Sequence, residues 1–271
     1  MAGGDWLGLS GRVCVVTGAG GGIGSAIAAS FAAAGAHVAL LDKNTETCRQ
    51  TADALAAKGS KAIALACDTA DPASVEAAAA AVTTALGPCD VLANNAGFLS
   101  PGALASLPLE AWNANIAVNL TGYFICAQVF GRAMLERKCG ALVHIASIAA
   151  TNPQPWSGAY SVTKAGVAML SRQLAAEWGS QGVRSNAVSP GLIRTPMSEA
   201  FYQHEETAHR RAELVPAGRV GTPQDIADAV VWLASDRAAY VSGEEVIVDG
   251  GVTQTLMGLI PRPGFTQAAT R

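Results

Sequence analysis

The hydrophobic pattern of this chain alternates between short runs of apolar, β-branched residues and longer segments in which apolar residues recur with the period of an α-helix. The short runs predict strands at Val13–Thr17, His37–Asp42, Lys61–Ala66, Val91–Asn94, Ala141–Ala146, Arg184–Val188 and Glu245–Val248. The longer segments predict helices at Gly22–Ala34, Thr45–Lys58, Pro72–Leu86, Leu109–Lys138, Gly158–Gly179 and Pro223–Ser235. Strands this apolar, separated by helices, are typical of a parallel sheet covered by helices on both faces.

No linker-like change of composition interrupts this alternation, so we expect residues 1–271 to form a single doubly wound α/β domain. Half of the residues are hydrophobic and 14% are charged, which predicts a sizeable core and excludes a disordered chain. The net charge of -3, without a run of Lys or Arg, argues against nucleic acid or an anionic membrane as the main partner.

The cysteines and the N-terminus bear on the compartment. The six cysteines are scattered and form no Cys-x-x-Cys pair, so we expect buried, reduced thiols and no metal site. The first residues, Met1–Trp6, contain neither the basic nor the apolar segment of a signal peptide. The Ala-rich stretch Ala26–Leu41 is broken by polar residues and a glycine, so it is not a membrane span. These features predict a soluble cytoplasmic protein.

A glycine-rich turn, Thr-Gly-Ala-Gly-Gly-Gly-Ile-Gly at residues 17–24, follows the first predicted strand. Glycines allow backbone N–H groups to approach a pyrophosphate at a helix N-terminus, where the helix dipole favours negative charge. An ATP-binding phosphate loop would need Lys and Ser or Thr after the last glycine, but Ser and Ala follow here. The residues of the turn that we expect at a dinucleotide are Gly18, Gly22, Ile23 and Gly24.

An acidic residue, Asp42, ends the second predicted strand, 18 residues after Gly24. A carboxylate at this position can accept hydrogen bonds from the adenosine ribose hydroxyls and repels a 2′-phosphate. The sequence therefore favours NAD over NADP, although the ammonium of Lys43 could partly neutralise that repulsion. Asp42 could equally serve as a helix N-cap before Asn44, and the two roles are compatible.

Polar residues also follow the third and fourth predicted strands. Asp68, next to Thr69, could bind an adenine amino group or could be an ordinary cap or turn residue. The small and amide residues Asn95, Ala96 and Gly97 end the fourth strand, where a dinucleotide crosses an open sheet. Asn119 lies in an otherwise apolar helix, where an amide is costly unless it is hydrogen-bonded. A structural bond between helices would also explain Asn119.

The fifth strand and the helix after it carry the candidate acid–base groups. Ser147 follows the strand, and Tyr160 and Lys164, four residues apart, project from one face of the helix. A positive charge about 4 Å from a phenol, at an effective dielectric of about 20, is worth about 4 kcal/mol, or roughly three pKa units. That shift would bring a tyrosine into a range suited to proton transfer. Alternatively, Tyr160 packs in the core and Lys164 is solvated.

These motifs, in this order and at these spacings, resemble those of the short-chain dehydrogenase/reductase family over nearly everything from Leu9 to Gly251. The thirteen-residue gap between Ser147 and Tyr160 is the family's gap. The motifs that carry the resemblance are Thr17-Gly18-x-x-x-Gly22-x-Gly24, Asn94-Asn95-Ala96-Gly97, Asn119, Ser147, Tyr160-x-x-x-Lys164, Pro190-Gly191 and Asp249-Gly250-Gly251.

The resemblance implies a Rossmann-type sheet of seven parallel strands in the order 3-2-1-4-5-6-7, and commonly a homotetramer. It implies that Tyr160 exchanges a proton with the substrate oxygen, which Ser147 orients. It also implies that Lys164 binds the nicotinamide ribose and lowers the pKa of Tyr160, while Asn119 holds a water that relays protons. The residues that it implies for the nicotinamide carboxamide are Pro190, Gly191, Ile193 and Thr195.

Three segments are expected to surround a small-molecule substrate. They are Ala149–Trp156, a lid at residues 195–214, and the C-terminal extension at residues 252–271. We expect this extension to dock, and a neighbouring subunit near its active site is one candidate position. The candidate substrate contacts, besides the catalytic hydroxyls of Ser147 and Tyr160, are Gln154, Trp156, Met197 and Tyr202.

The main functional hypothesis is an NAD-dependent oxidoreductase that transfers a hydride between the cofactor and a secondary alcohol or ketone of the polyol, sugar or hydroxy acid class. One alternative is a 3-oxoacyl reductase, which would prefer NADPH and would favour a basic patch for an acidic carrier; Arg210 and Arg211 are the only local basic pair. Another alternative, from a different class, is a non-catalytic dinucleotide-sensing scaffold.

Overall fold

The computed structural model describes residues 5–260. Its strands are β1 Val13–Thr17, β2 His37–Asp42, β3 Ala62–Ala66, β4 Val91–Asn94, β5 Gly140–Ile145, β6 Val183–Pro190 and β7 Glu245–Val248. Its α-helices are α1 Gly22–Ala33, α2 Thr45–Ala56, α3 Pro72–Leu86, α4 Leu109–Ile116, α5 Gly122–Arg137, α6 Tyr160–Trp178, α7 Glu205–Glu213 and α8 Pro223–Ala234.

The seven strands form one parallel sheet in the order β3-β2-β1-β4-β5-β6-β7, which confirms the expected fold. The strand order reverses between β1 and β4, and in open α/β sheets ligands bind at the carboxyl ends of the strands beside such a reversal. The ends of β1, β2, β4, β5 and β6 carry the candidate residues, so the topology brings them to one edge of the sheet.

Two layers of helices cover the sheet, and each side has its own apolar core. On one side Ile27, Phe31 and Ile226 from α1 and α8 pack on the strands. On the other side Val82 and Phe130, from α3 and α5, pack on the opposite faces of the same strands. Since successive strand residues point to opposite faces, burial on both sides requires continuous apolar runs, which is why the strands were readable from the sequence.

The longest predicted helix, Leu109–Lys138, is interrupted in the structure. A π-helical segment at Ala117–Thr121 separates α4 from α5, and it contains the buried Asn119. Single π turns inside α-helices are frequent at functional sites. The following predicted helix also begins later than expected, at Tyr160, because Gly158 adopts a left-handed conformation with φ of +56°.

The C-terminal extension is described only as far as residue 260. Short 3₁₀ turns at Val252–Gln254 and Leu256–Leu259 follow β7, and the side chains of Leu256 and Met257 are exposed. The expected docking of the extension depends mainly on residues 261–271, which lie outside the described residues.

Candidate active site

The carboxyl edge of the sheet opens into a cavity of about 1160 Å³. This volume exceeds the roughly 300–1,000 Å³ of most small-ligand pockets, so it has room for a dinucleotide and a small substrate together. The residues predicted from sequence that line the cavity are Gly18, Gly22, Ile23, Asp42, Asn95, Gly97, Ser147, Gln154, Tyr160, Lys164, Pro190, Gly191, Ile193, Thr195 and Met197.

The glycine-rich turn has the close packing that a pyrophosphate cradle needs. Gly18 has φ of +64°, and a Cβ atom there would lie 2.7 Å from the Cα of Ala96. The amide of Asn95 donates hydrogen bonds of 3.0 Å to the carbonyls of Thr17 and Gly18, which fixes the turn against β4. Gly24 packs directly on the Gly18 carbonyl, where no side chain fits. The turn leads into the N-terminus of α1 and fits the phosphates of a dinucleotide.

The segment after β6 faces this turn across the cavity. A Cβ atom on Gly22 would lie 3.4 Å from the Cβ of Thr195, so the two walls approach closely at this point. Ile193 is buried and pairs with Gly221, and the hydroxyl of Ser198 donates to the Ile193 carbonyl over 2.8 Å. The segment predicted for the carboxamide therefore has a fixed backbone next to the turn.

Asp42 faces the cavity at the end of β2. Its carboxylate accepts a hydrogen bond of 3.0 Å from the N–H of Gly20 and one of 2.9 Å from the N–H of Asn44. The N-cap of α2 is Asn44, whose side chain accepts from Glu46 over 3.1 Å. The N-cap alternative for Asp42 is therefore wrong, and the carboxylate instead ties β2 to the glycine-rich turn.

Lys43, the residue that could have neutralised Asp42, is engaged elsewhere. Its ammonium lies 2.8 Å from the carboxylate of Asp68. This hydrogen bond raises the pKa of Lys43 and holds the pKa of Asp68 below its usual value. Asp68 also accepts from the N–H of Ala70 over 3.0 Å, as a turn residue would, and neither it nor the buried Thr69 lines the cavity.

Asn119 clamps the chain after β4. Its side-chain oxygen accepts from the N–H of Phe98 over 3.0 Å, and its amide donates to the Phe98 carbonyl over 2.8 Å and to Asn115 over 3.1 Å. These bonds are structural, but they join Asn119 to the chain after β4 and to the preceding turn of its own helical run, not to another helix as the alternative supposed. The side chain of Asn119 is therefore bonded within the protein, to Phe98 and Asn115.

Ser147, Tyr160 and Lys164 all line the same cavity. Ser147 follows β5 and its hydroxyl accepts from the N–H of Ala149 over 3.1 Å, while Tyr160 is the first residue of α6. The Lys164 ammonium lies one turn further along α6, 5.7 Å from the centre of the Tyr160 ring. The alternative of a solvated Lys164 is wrong, because this side chain is only 4% exposed.

The pKa of Tyr160 is not lowered as the resemblance implied. Burial of the phenol raises its pKa, and a hydrogen bond with Ser147 lowers it by less. Burial also lowers the pKa of Lys164 to about 7, so near neutral pH this lysine is only partly charged. The lowering expected for the pKa of Tyr160 assumed a fully charged ammonium about 4 Å away. In the protein chain by itself, burial disfavours the charged forms of both Tyr160 and Lys164, and this removes the expected lowering.

This site also includes Tyr123, which the sequence did not single out, and Arg211, which the sequence offered only as part of a basic pair. The Lys164 ammonium donates to the hydroxyl of Tyr123 over 3.2 Å and to the carbonyl of Ile145 over 2.7 Å. Tyr123 looked like one more core aromatic in an apolar helix, and its spacing of four residues from Asn119 was the available signal. Arg211, on α7, also lines the cavity.

The four specific substrate candidates separate into two pairs. Gln154 and Met197 line the cavity. Trp156 does not line it: the residue has φ of +63° and its side chain is 74% exposed. Tyr202, within the segment at residues 195–214, is buried and does not line the cavity, and its neighbour Phe201 lines the cavity instead. Because consecutive residues of a 3₁₀ turn point in different directions, Phe201 can face the cavity while Tyr202 does not.

Among residues 5–260 no helix is both long and apolar enough to cross a membrane. Within the same range, no group of three or more His, Cys, Asp and Glu side chains is arranged to hold a metal ion.

Known proteins resemble this chain along most of its length. The family model described as Enoyl-(Acyl carrier protein) reductase matches residues 18–253. D-threitol dehydrogenase of Mycolicibacterium smegmatis is 41% identical over 245 residues, covering 90% of this chain and 94% of that protein. A 3-oxoacyl-[acyl-carrier-protein] reductase of Salmonella typhimurium is 37% identical over 246 residues, covering 91% and 99%. The structure of a candidate NAD(P)-dependent gluconate 5-dehydrogenase from Beutenbergia cavernae, with NADP bound at low occupancy, has a TM-score of 0.86 and 38% identity, covering 92% and 99%.

Proposed function

This chain belongs to the short-chain dehydrogenase/reductase family, and we propose that it is an NAD-dependent dehydrogenase of secondary alcohols of the polyol, sugar or hydroxy acid class. The observation that carries the proposal is the convergence of Ser147, Tyr160 and Lys164 on the cavity that also contains the glycine-rich turn and Asp42. A binding module would need the turn and Asp42 but would have no use for three catalytic groups beside them.

The residues of the cavity suit a nicotinamide dinucleotide. The turn at residues 17–24 would hold the pyrophosphate, Asp42 the adenosine ribose, Lys164 the nicotinamide ribose, and the segment at residues 190–195 the carboxamide. When bound, the dinucleotide supplies the hydride acceptor for the alcohol carbon. Asp68, Thr69, Ala96 and Gly97 remain proposed neighbours of the cofactor, with Ala96 and Gly97 supporting the turn.

The preference for NAD rests on charge. The carboxylate of Asp42 would repel the 2′-phosphate of NADP, and the ammonium of the neighbouring Lys43 is paired with Asp68 over 2.8 Å. Because Lys43 is already paired with Asp68 before any cofactor binds, its ammonium can offset only part of the repulsion between Asp42 and a 2′-phosphate. NADP is present in the related structure from Beutenbergia cavernae, so both cofactors must be compared directly.

The protein's own contribution to the chemistry is proton transfer and orientation. Tyr160 accepts the proton of the substrate hydroxyl, Ser147 donates a hydrogen bond to the same oxygen, and Lys164 supplies positive charge next to the phenol. Burial raises the pKa of Tyr160 in the protein chain by itself. We therefore expect the positive charge of Lys164 to assist proton transfer only after the cofactor and the substrate have bound. Asn119 contributes by fixing the chain after β4, and its water relay towards Lys164 stays a prediction.

The experiment that tests the function is an assay of a panel of polyols, sugars and hydroxy acids with NAD and with NADP, followed by the absorbance of the reduced nicotinamide. We expect oxidation of at least one secondary alcohol, with a higher kcat/KM for NAD. Cofactor binding without turnover of any member of the panel would contradict the proposal and would favour the dinucleotide-sensing scaffold.

A 3-oxoacyl reductase is a second candidate, favoured by the description of the family model and by the Salmonella typhimurium relative. It predicts reduction of acetoacetyl-CoA with NADPH, faster than any oxidation of an alcohol with NAD. The carboxylate of Asp42 and the pairing of Lys43 speak against this cofactor. The same spectrophotometric assay, run in the direction of reduction, separates the two candidates.

We also propose a homotetramer in the cytoplasm. The side chains of Phe124 on α5, and of Val162 and Met169 on α6, are large, apolar and exposed, as is typical of helix faces that pair with other subunits. Five of the six cysteines are buried free thiols, which suits a reducing compartment. Sedimentation velocity would show four chains per particle; a monomer would contradict the assembly.

A further inference from the structure

Arg211 is the residue of α7 that lines the cavity. Its guanidinium lies 5.2 Å from the centre of the Phe201 ring and 5.0 Å from that of Tyr202. Two aromatic rings thus hold the planar group against the lid segment, so its position is defined although α7 lies on the surface. The neighbouring Arg210 is exposed and does not line the cavity.

The charge of Arg211 has no counterpart in the described part of the chain. No Asp or Glu oxygen of residues 5–260 lies within 4.0 Å of its nitrogens, and its Nε atom is buried without a hydrogen-bond partner. Arg194, the other cation over the Tyr202 ring, is instead paired with Glu199 over 2.6 Å. A buried guanidinium nitrogen without a partner is costly, and a carboxylate is the partner that suits its fork of donors best.

The rest of the cavity does not supply that partner. Its only acidic lining residue among residues 5–260 is Asp42, at the end of β2. In the sheet, β1 and β4 separate β2 from β5, the strand that Ser147 follows. The lining residues nearest to Arg211 in sequence, Met197, Ser198 and Phe201, are neutral. Among residues 5–260, the catalytic side of the cavity therefore offers Arg211 no acidic lining residue.

We propose that Arg211 binds a carboxylate of the substrate, so that the enzyme oxidises a hydroxy acid of the sugar-acid type in preference to a neutral polyol. This inference rests on the proposed dehydrogenase function and narrows it. A carboxylate on Arg211 would anchor one end of a short polyhydroxy chain while a secondary hydroxyl further along meets Ser147 and Tyr160. Anchoring of this kind fixes the reacting carbon, which is how remote contacts contribute to catalysis.

The test compares aldonates with the alditols of the same configuration, from threonate and threitol to gluconate and glucitol, in the wild type and in Arg211→Gln. We expect the wild type to oxidise at least one aldonate with a kcat/KM about tenfold or more above that of its alditol, since a hydrogen bond to a charged group discriminates by at least that factor. In Arg211→Gln this preference should disappear through loss of aldonate activity, and Arg211→Lys should retain part of it.

Two controls separate this role from others. Arg210→Gln changes the same residue type on the same helix outside the cavity, and it should leave both substrates unaffected. The KM for NAD should stay unchanged in Arg211→Gln; a rise would mean that Arg211 serves the cofactor phosphates, and this would overturn the proposal. Equal losses for aldonates and alditols would show a structural role and would overturn it as well, as would faster oxidation of a sugar phosphate than of any aldonate.

The same measurements tell apart a wrong carboxylate site at Arg211 and a wrong dehydrogenase function. If alditols are the better substrates and Arg211→Gln oxidises them normally, the enzyme is a polyol dehydrogenase and the carboxylate site is wrong. If neither series is oxidised, the proposed function is wrong, and calorimetry with each aldonate in the presence of NADH still decides the inference. Binding that Arg211→Gln abolishes would support the carboxylate site, and no binding to the wild type would refute it.

Discussion

The ammonium of Lys164 donates a hydrogen bond of 3.2 Å to the hydroxyl of Tyr123, a residue on the other helix of the pair α5 and α6. That hydroxyl donates to the carbonyl of Ile145 over 3.0 Å, and the same carbonyl accepts from Lys164 over 2.7 Å. The three groups close a triangle beneath the cavity, in which all members are buried. Tyr123 therefore holds Lys164 without lining the cavity itself, and we propose it as a positioning residue for the lysine beside Tyr160.

Replacing Tyr123 by Phe tests this triangle. The phenol oxygen stabilises the charged form of Lys164, so its removal should lower the pKa of the lysine further. We expect kcat/KM to fall about tenfold, from the loss of a charge-assisted hydrogen bond of roughly 1.5 kcal/mol. The alkaline limb of the pH–rate profile should move to lower pH. A purely structural role would reduce stability but leave the profile in place, and an unchanged profile would contradict the assignment.

The buried lysine also makes a prediction about stability. Burial lowers the pKa of Lys164 to about 7, from 10.5 for an ordinary lysine. Between these values the unfolded chain binds more protons than the folded one, so the free energy of unfolding rises with pH through this window, by up to about 1.4 kcal/mol per pH unit. Below pH 7 both states are protonated and the contribution is constant.

Lys164→Met removes this contribution. Urea unfolding of the wild type and the variant, at fixed protein concentration between pH 6 and pH 9, should give a free-energy difference that is flat up to about pH 7 and then shifts in favour of the wild type. Taking the difference cancels the titration of the buried cysteine thiols, whose pKa values are raised. Parallel curves over the whole range would show that the folded lysine keeps its proton.

Substitution of Asp68, which does not line the cavity, should change the preference for NAD over NADP. Asp68→Asn removes the carboxylate that pairs with Lys43 and leaves the ammonium free to meet a 2′-phosphate. An exposed pair of this kind is weak, so kcat/KM for NADP should rise only a few-fold while that for NAD changes little. The double variant Asp68→Asn with Lys43→Gln should lose the gain. A loss of activity with both cofactors in Asp68→Asn would point to an adenine contact instead.

The sequence predicted the sheet well because its strands are buried on both faces. The bounds of β1, β2, β4 and β7 agree with the predicted runs, for instance Val13–Thr17 in β1, and the order follows from the family resemblance. A strand buried on both sides has to be apolar at every position, and that signal needs no knowledge of the partners.

Helix α7 and the π-helical segment show what the sequence could not reveal. Glu205–Glu213 is polar all round and has no buried residue, so it lacks the apolar stripe from which helices are predicted. The π turn at Ala117–Thr121 inserts a single residue into a long apolar pattern, and a hydrophobic period does not resolve such a change. Both features shape the candidate site, since one brings Arg211 to the cavity and the other carries Asn119.

The catalytic residues were predicted individually, but their electrostatics depend on the fold. The spacing of Tyr160 and Lys164 placed both side chains on one helical face, as found. What the spacing could not give is the burial that raises one pKa and lowers the other, or the hydroxyl of Tyr123 that Lys164 meets instead of water. Those effects come from β5 and α5, which are distant in sequence.

The central claim is that Tyr160 transfers the proton of a substrate alcohol inside a nicotinamide-binding cleft. The most direct measurement is the kcat of Tyr160→Phe on the best alcohol of the panel, together with the Kd of NADH from its fluorescence. Phe preserves the buried ring and removes only the hydroxyl, so we predict a loss of kcat of about a thousandfold or more with the Kd changed by less than about threefold, given that general acid–base catalysis contributes roughly 10²–10⁴-fold. Turnover at the wild-type rate with the same Kd would contradict the account.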